Sequence, residues 1–158
     1  MVKLAVHGLP GCAVSDIEGR KRFTPSYSIR VLEALEAENP GCRVQLLIGS
    51  DSLEELHTWY CARELAGRYE IIAYPRRTRA ESGSSAAVVL PETFWSDAEA
   101  ERLRQTVVSG NFVEVSSTEL REALSSGGED GGKVANEAVL MYIKKHGLYG
   151  MKPKPGGE

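Results

Sequence analysis

The chain has 158 residues, 42% of them hydrophobic and 26% charged, with a formal net charge of −3 at pH 7. This is the length of one domain, large enough to bury a core without disulfide or metal staples. The slightly acidic balance excludes a broadly basic nucleic-acid footprint, and no stretch approaches the roughly 20 apolar residues that span a bilayer, so neither nucleic acid nor membrane is an expected partner.

The opening run from Met1 to Gly8 is too short an apolar segment for a signal peptide, and the three cysteines, Cys12, Cys42 and Cys61, are odd in number and lack metal-ligand spacing. They fit reduced thiols of a cytoplasmic protein rather than a disulfide framework. Three histidines, His7, His57 and His146, are too scattered to suggest a metal cluster. In chain order, the turn at Gly8 and Pro10-Gly11 precedes Cys12 to Glu18, whose alternation of apolar and polar residues predicts a short strand. Ile29, Leu32 and Leu35 share one face of a predicted helix over Ser28 to Glu38, which Pro25 and Ser26 lead into and Asn39-Pro40-Gly41 stops. Arg43 to Ile48 has the look of a buried parallel strand emptying into Gly49-Ser50-Asp51. A helix is expected over about Thr58 to Ala66, and strands over Glu70 to Tyr74 and Asn111 to Val115. Helices follow over Ser96 to Gln105, from Glu119 to Leu124, and from Asn136 to His146, the last with Val139, Leu140 and Ile143 inward and Gly147 as its stop.

Alternating strands and helices of this kind predict an α/β fold with a mainly parallel sheet, forming one domain over residues 1–150. The segments 79–86 and 125–133 are too rich in Ser, Gly and charge to order themselves by burial, and 151–158 is expected to be a disordered tail.

Ligands of open α/β sheets bind outside the carboxyl ends of the strands, so the loops there are the candidate sites. In Gly49-Ser50-Asp51 the glycine admits close backbone approach, and Asp51 either accepts ribose or amide hydrogen bonds or simply caps the next helix. In Ser116-Ser117-Thr118-Glu119-Leu120-Arg121, hydroxyls and free N–H groups at a helix start make an anion site with Arg121 one turn on; Ser116 and Glu119 equally compose an ordinary capping box. Trp59-Tyr60 offers a flat face for an aromatic heterocycle, against the commoner fate of a tryptophan, which is core packing. His57 beside it is ambiguous in the same way. Of the basic runs, Arg20-Lys21-Arg22 suits a solvated face, whereas Arg76-Arg77, following a strand, stays open as a phosphate contact.

Four stretches in register go beyond such generic readings: Thr24-Pro25-Ser26-Tyr27-Ser28; Leu47 to Leu53 followed by Thr58-Trp59-Tyr60; Val115 to Arg121; and Glu137 to Gly150 with its Gly-Leu-Tyr ending. Over about Cys12 to Gly150 the chain resembles bacterial nicotinate-nucleotide adenylyltransferases. The resemblance implies a Rossmann-like nucleotidyltransferase fold and the transfer of AMP from ATP to nicotinate mononucleotide, giving deamido-NAD and pyrophosphate, with Mg²⁺ as the usual ion. It implies that Ser28, Trp59 and Tyr60 hold the nicotinate ring, Trp59 by stacking, with Ser28 standing where the family has Thr. Gly49 and Asp51 would border the nucleotide, and Ser116, Ser117 and Arg121 would bind the ATP phosphates, Arg121 as the catalytic cation; Arg76 is a looser candidate. Partners are then ATP and nicotinate mononucleotide, and a homo-oligomer is compatible with the sequence.

The resemblance also carries a departure. The family opens with a strand, a glycine-rich loop and a His-x-Gly-His type motif that cradles ATP, and His7-Gly8 is no substitute, so Met1 falls inside the family's usual sequence. In the strand order 3-2-1-4-5, Cys12 to Glu18 would be strand 3 and Val44 to Ile48 strand 4, with the two N-terminal strands between them missing. A sheet without its centre leaves unpaired edges, and the expectation is a fragment prone to aggregation and weak or inactive in catalysis, from a misassigned start or a truncated frame. The alternative is a non-catalytic nucleotide-binding or interaction module that kept the nicotinate side and lost the phosphate cradle.

Overall fold

The structure is a computed structural model describing residues 1–75, 88–109, 117–125 and 136–150. They belong to two compact units, Asp16–Glu114, and Met1–Ser15 with Val115–Glu158.

In the first unit the apolar run after Arg43 forms β1 (Gln45–Gly49), and Glu70–Tyr74 forms β2. They pair in parallel, Leu46 beside Ile71 and Ile48 beside Ala73. Parallel neighbours need a crossover between them. It is supplied by a short helix Ser50–Glu54, a 3-10 turn Leu56–Thr58 and a helix Ala62–Arg68. A further parallel bridge joins Ala73 to Val107, with Val108 N donating to Ala73 O at 2.9 Å. The molecule is therefore α/β with a parallel sheet, as the alternation of elements predicts. The strand expected at Asn111 to Val115 lies outside the described residues, as do segments 79–86 and most of 125–133 and the tail.

In chain order the helices are α1 (Val2–Ala5), α2 (Ile17–Lys21), α3 (Ser28–Glu38), α4 (Ser50–Glu54), α5 (Ala62–Arg68), α6 (Asp97–Arg104), α7 (Ser117–Ser125) and α8 (Glu137–His146). The α3 helix has the bounds that its apolar spacing predicts, with Ile29 and Leu32 buried. The expected N-terminal strand is absent: Cys12 to Ser15 has no regular structure and Ile17 begins α2. The alternation there misleads because only Ile17 finds a core, at 2% exposure, while Val14 stays exposed. Asp16 instead pairs with Arg20 one turn on at 2.7 Å, which favours the helix. Nor is Thr58 to Ala66 one helix. Cys61 sits at φ 53°, ψ 40°, in the left-handed region, and separates the 3-10 turn from α5.

One core gathers α3, α4, α5, β2 and α6, with Leu53, Leu56 and Leu65 fully buried and Trp95 at 2%. Trp95 packs edge-on against Phe94 at 4.7 Å. Ser96 and Glu99 cap α6 reciprocally, and these bonds hold the Glu99 carboxyl below its usual range.

The basic run at Arg20 is a surface pairing site. Arg20 grips Glu38 with two bonds of 3.0 and 2.8 Å, and Lys21 Nζ lies 3.4 Å away. The hydrogen bonds from Arg20, followed by that from Lys21, pull the Glu38 carboxyl from 4.5 to about 2. A carboxyl lowered on folding contributes stability above its unfolded value and loses it as pH falls through the folded one. The melting-temperature gap between wild type and Glu38→Gln is therefore expected to be present at pH 6, to shrink below about 4.5, and to close near 2. A gap independent of pH in a melting series would contradict the pairing.

In the second unit, Asn136 caps α8 by accepting from Val139 N at 2.9 Å, and its amide donates to Leu4 O and Ala5 O. Gly147 ends α8 at φ 59°, as a C-terminal glycine does. Ile143 is buried, and Val139 and Leu140 are half-buried.

Candidate functional site

The α3 helix starts where the Thr24 to Ser28 stretch turns in. Tyr27 is its N-cap residue with extended backbone, φ −92° and ψ 133°, and Ser28 is its first helical residue. Ser26 Oγ donates to a Glu18 carboxylate, which ties this approach to α2. On the facing segment, Leu56 buries the 3-10 turn and Thr58 closes it, Oγ1 donating to Glu55 O at 2.7 Å. The backbone then extends at Trp59, φ −75° and ψ 150°. Trp59 and Tyr60 are thereby lifted out of helix and laid beside Ser26, Tyr27 and Ser28. Together with Thr58 these residues line a groove of about 280 Å³.

Trp59 combines the two roles that its sequence position leaves open: it is half-buried, packed against the core, and also lines the groove. Tyr60 is 45% exposed. Its ring stacks on Tyr27, centroids 4.1 Å apart and planes 20° from parallel. A second groove, of about 540 Å³, lies beyond Tyr60, with Lys21, Arg30, Glu33 and Glu64 among its lining residues. His57 is structural in character: its Nδ1 lies 2.9 Å from Glu54 O, which can only accept, so the proton sits on Nδ1.

Gly49 is the last residue of β1 and the N-cap residue of α4, so it lies at the carboxyl end of a parallel strand. Asp51 is not the N-cap; it lies in the first turn of α4, where its Oδ1 accepts from Ser52 N at 3.0 Å. A carboxylate there is favoured by the helix dipole. Three sequence-predicted residues, Ser28, Trp59 and Tyr60, are thus brought into one groove, and Gly49 and Asp51 occupy the strand end that leads into the same crossover. Ser117 and Arg121 belong to α7 in the other unit. Arg121 is exposed, its guanidinium 6.0 Å from the Tyr149 ring centre. Ser116, the capping box it would form, and Arg76 lie outside the described residues.

The sequence assigns Tyr27 and Thr58 no role and Ser26 only the entry to the helix, yet all three line the groove. The available signal was the aromatic Tyr27 directly before a predicted helix start. Among the described residues no group of three or more His, Cys, Asp or Glu could hold a metal ion, and no helix is long and apolar enough to cross a membrane.

The aromatic groove, and a glycine and a carboxylate at the strand's carboxyl end, belong to a parallel α/β unit, the class of fold whose ligands bind outside the carboxyl ends of the strands. No protein-family model matches the chain. Among curated proteins, it is 35% identical over 150 residues to the "Probable nicotinate-nucleotide adenylyltransferase" of Gloeobacter violaceus, covering 94% of this chain and 68% of that one. The equally named protein of Dehalococcoides mccartyi is 35% identical over 152 residues, covering 94% and 69%. That of Caldicellulosiruptor bescii is 31% identical over 149 residues, covering 94% and 70%. The chain belongs to the nicotinate-nucleotide adenylyltransferase family.

Proposed function

We propose that this chain transfers the adenylyl group of ATP to nicotinate mononucleotide in NAD biosynthesis. The observation that carries the reading is the groove shared by Ser28, Trp59 and Tyr60, assembled from two segments about thirty positions apart. A phosphate oxygen of the mononucleotide attacks the α-phosphorus of ATP, the bond to the β-phosphate's bridging oxygen breaks, and deamido-NAD and pyrophosphate result. No covalent enzyme intermediate is required, so the protein's task is positioning and neutralising charge on the leaving group.

In this reading Trp59 stacks on the nicotinate ring, the Ser28 hydroxyl and the backbone at Tyr60 serve its polar edge, and Gly49 and Asp51 border the nucleotide. Ser116, Ser117 and Arg121 bind the ATP phosphates, the free backbone N–H groups of a helix start favouring anions. The parallel pairing of β1 and β2 through a helical crossover supports a Rossmann-like nucleotidyltransferase fold. Mg²⁺ would enter with ATP as the MgATP substrate, held by its phosphates. The free, exposed Cys12, Cys42 and Cys61 support a cytoplasmic location for the chain.

The test mixes the full chain with MgATP and nicotinate mononucleotide. The expected result is deamido-NAD and pyrophosphate in equal amounts. Binding of the mononucleotide without pyrophosphate release would favour the binding-module alternative, and absence of both would overturn the reading.

A further inference from the structure

Tyr60 forms a wall of the groove from an unfavourable position. It is 45% exposed and lies in the irregular stretch between the 3-10 turn and the left-handed Cys61. An exposed tyrosine on such a segment samples several rotamers, and fixing it costs entropy at the moment a ligand binds. The Tyr27 ring covers one of its faces at 4.1 Å. Tyr27 is the more firmly held of the two. Its ring is half-buried against the core, and its carbonyl accepts from Arg30 N at 3.0 Å and Val31 N at 3.2 Å in the first turn of α3. The Arg30 guanidinium stands 6.0 Å from the Tyr60 ring centre, within reach of a weak cation–π contact.

We infer that Tyr27 is a positioning residue for the acceptor nucleotide: by stacking on Tyr60 it sets the groove wall before the nicotinate ring arrives. The inference rests on the reading above and assigns Tyr27 no contact with the reacting atoms. Preorganisation of this kind acts on affinity for the acceptor and leaves affinity for ATP untouched, whereas a residue that merely supports the fold moves both.

The test is calorimetric titration of the full chain with nicotinate mononucleotide and, separately, with MgATP. Tyr27→Leu keeps the apolar burial and removes the stack; it is expected to weaken mononucleotide binding about three- to tenfold, the range of an aromatic pair, with MgATP binding unchanged. Tyr27→Phe keeps the ring and is expected to bind like wild type. In a Tyr60→Leu background, Tyr27→Leu is expected to add nothing further, because its partner is already gone. Unchanged affinity in Tyr27→Leu, equal weakening toward both ligands, or an additive loss in the Tyr60→Leu background would each overturn the inference. A wild-type chain that fails to bind the mononucleotide overturns the functional reading and this inference with it, and is recognised by the wild-type trace alone.

Discussion

Trp59→Ala is expected to raise the dissociation constant for nicotinate mononucleotide about 5- to 150-fold, the equivalent of the ~1–3 kcal/mol that stacking a base on an aromatic side chain contributes. The indole is suited to this because one part of it rests on the core and fixes the ring, while another faces the groove with Ser28 and Tyr60. Trp59→Phe retains an aromatic face and is expected to recover most of the loss. MgATP binding is expected to stay at the wild-type value in both variants. Equal losses toward both ligands in a titration series would mean that Trp59 supports the fold and does not meet the acceptor.

The second large effect belongs to Leu56. Its side chain is fully buried, and it opens the 3-10 turn that delivers Trp59 and Tyr60 to the groove. Leu56→Ala removes buried methyl groups and leaves a cavity, at a cost of ~2–5 kcal/mol. Against a typical total of about 5–15 kcal/mol this is a major fraction, visible as a lower midpoint in urea unfolding. A midpoint unchanged from wild type would show that the turn is not anchored in the core.

The elements that sequence reasoning located well are those whose burial is set locally. The α3 helix and β2 have the bounds predicted from their apolar spacing, and Gly147 stops α8 through its left-handed backbone. The misreadings share a cause: local pattern without a partner. Cys12 to Glu18 alternates like a strand, yet no neighbouring strand pairs with it among the described residues, and the Asp16–Arg20 pair favours a turn of helix. Thr58 to Ala66 has helix-forming residues, but Cys61 takes a left-handed conformation that no propensity for a non-glycine residue announces.

The candidate site divides in the same manner. Ser28, Trp59 and Tyr60 were identified by resemblance, and the groove that unites them was not predictable from spacing, because it depends on a crossover folding back over the start of α3. For Asp51 the sequence leaves both a cap and a ligand role open; the structure removes the cap reading alone, because Gly49 holds the N-cap position. The stacking partner Tyr27 carried no individual signal beyond its residue type, since only tertiary structure sets it 4.1 Å from Tyr60. Trp95, which sequence reasoning passed over, is the deeply buried tryptophan, and Trp59 is the one at the groove.

Those two tryptophans, the whole complement of the chain, supply the most direct measurement. In a nitrogen-15 NMR titration with nicotinate mononucleotide, the indole N–H signal of Trp59, assigned through Trp59→Phe, is predicted to move with ligand concentration while that of Trp95 stays in place. An unmoved Trp59 signal at saturating mononucleotide would contradict the claim that this groove receives the nicotinate ring.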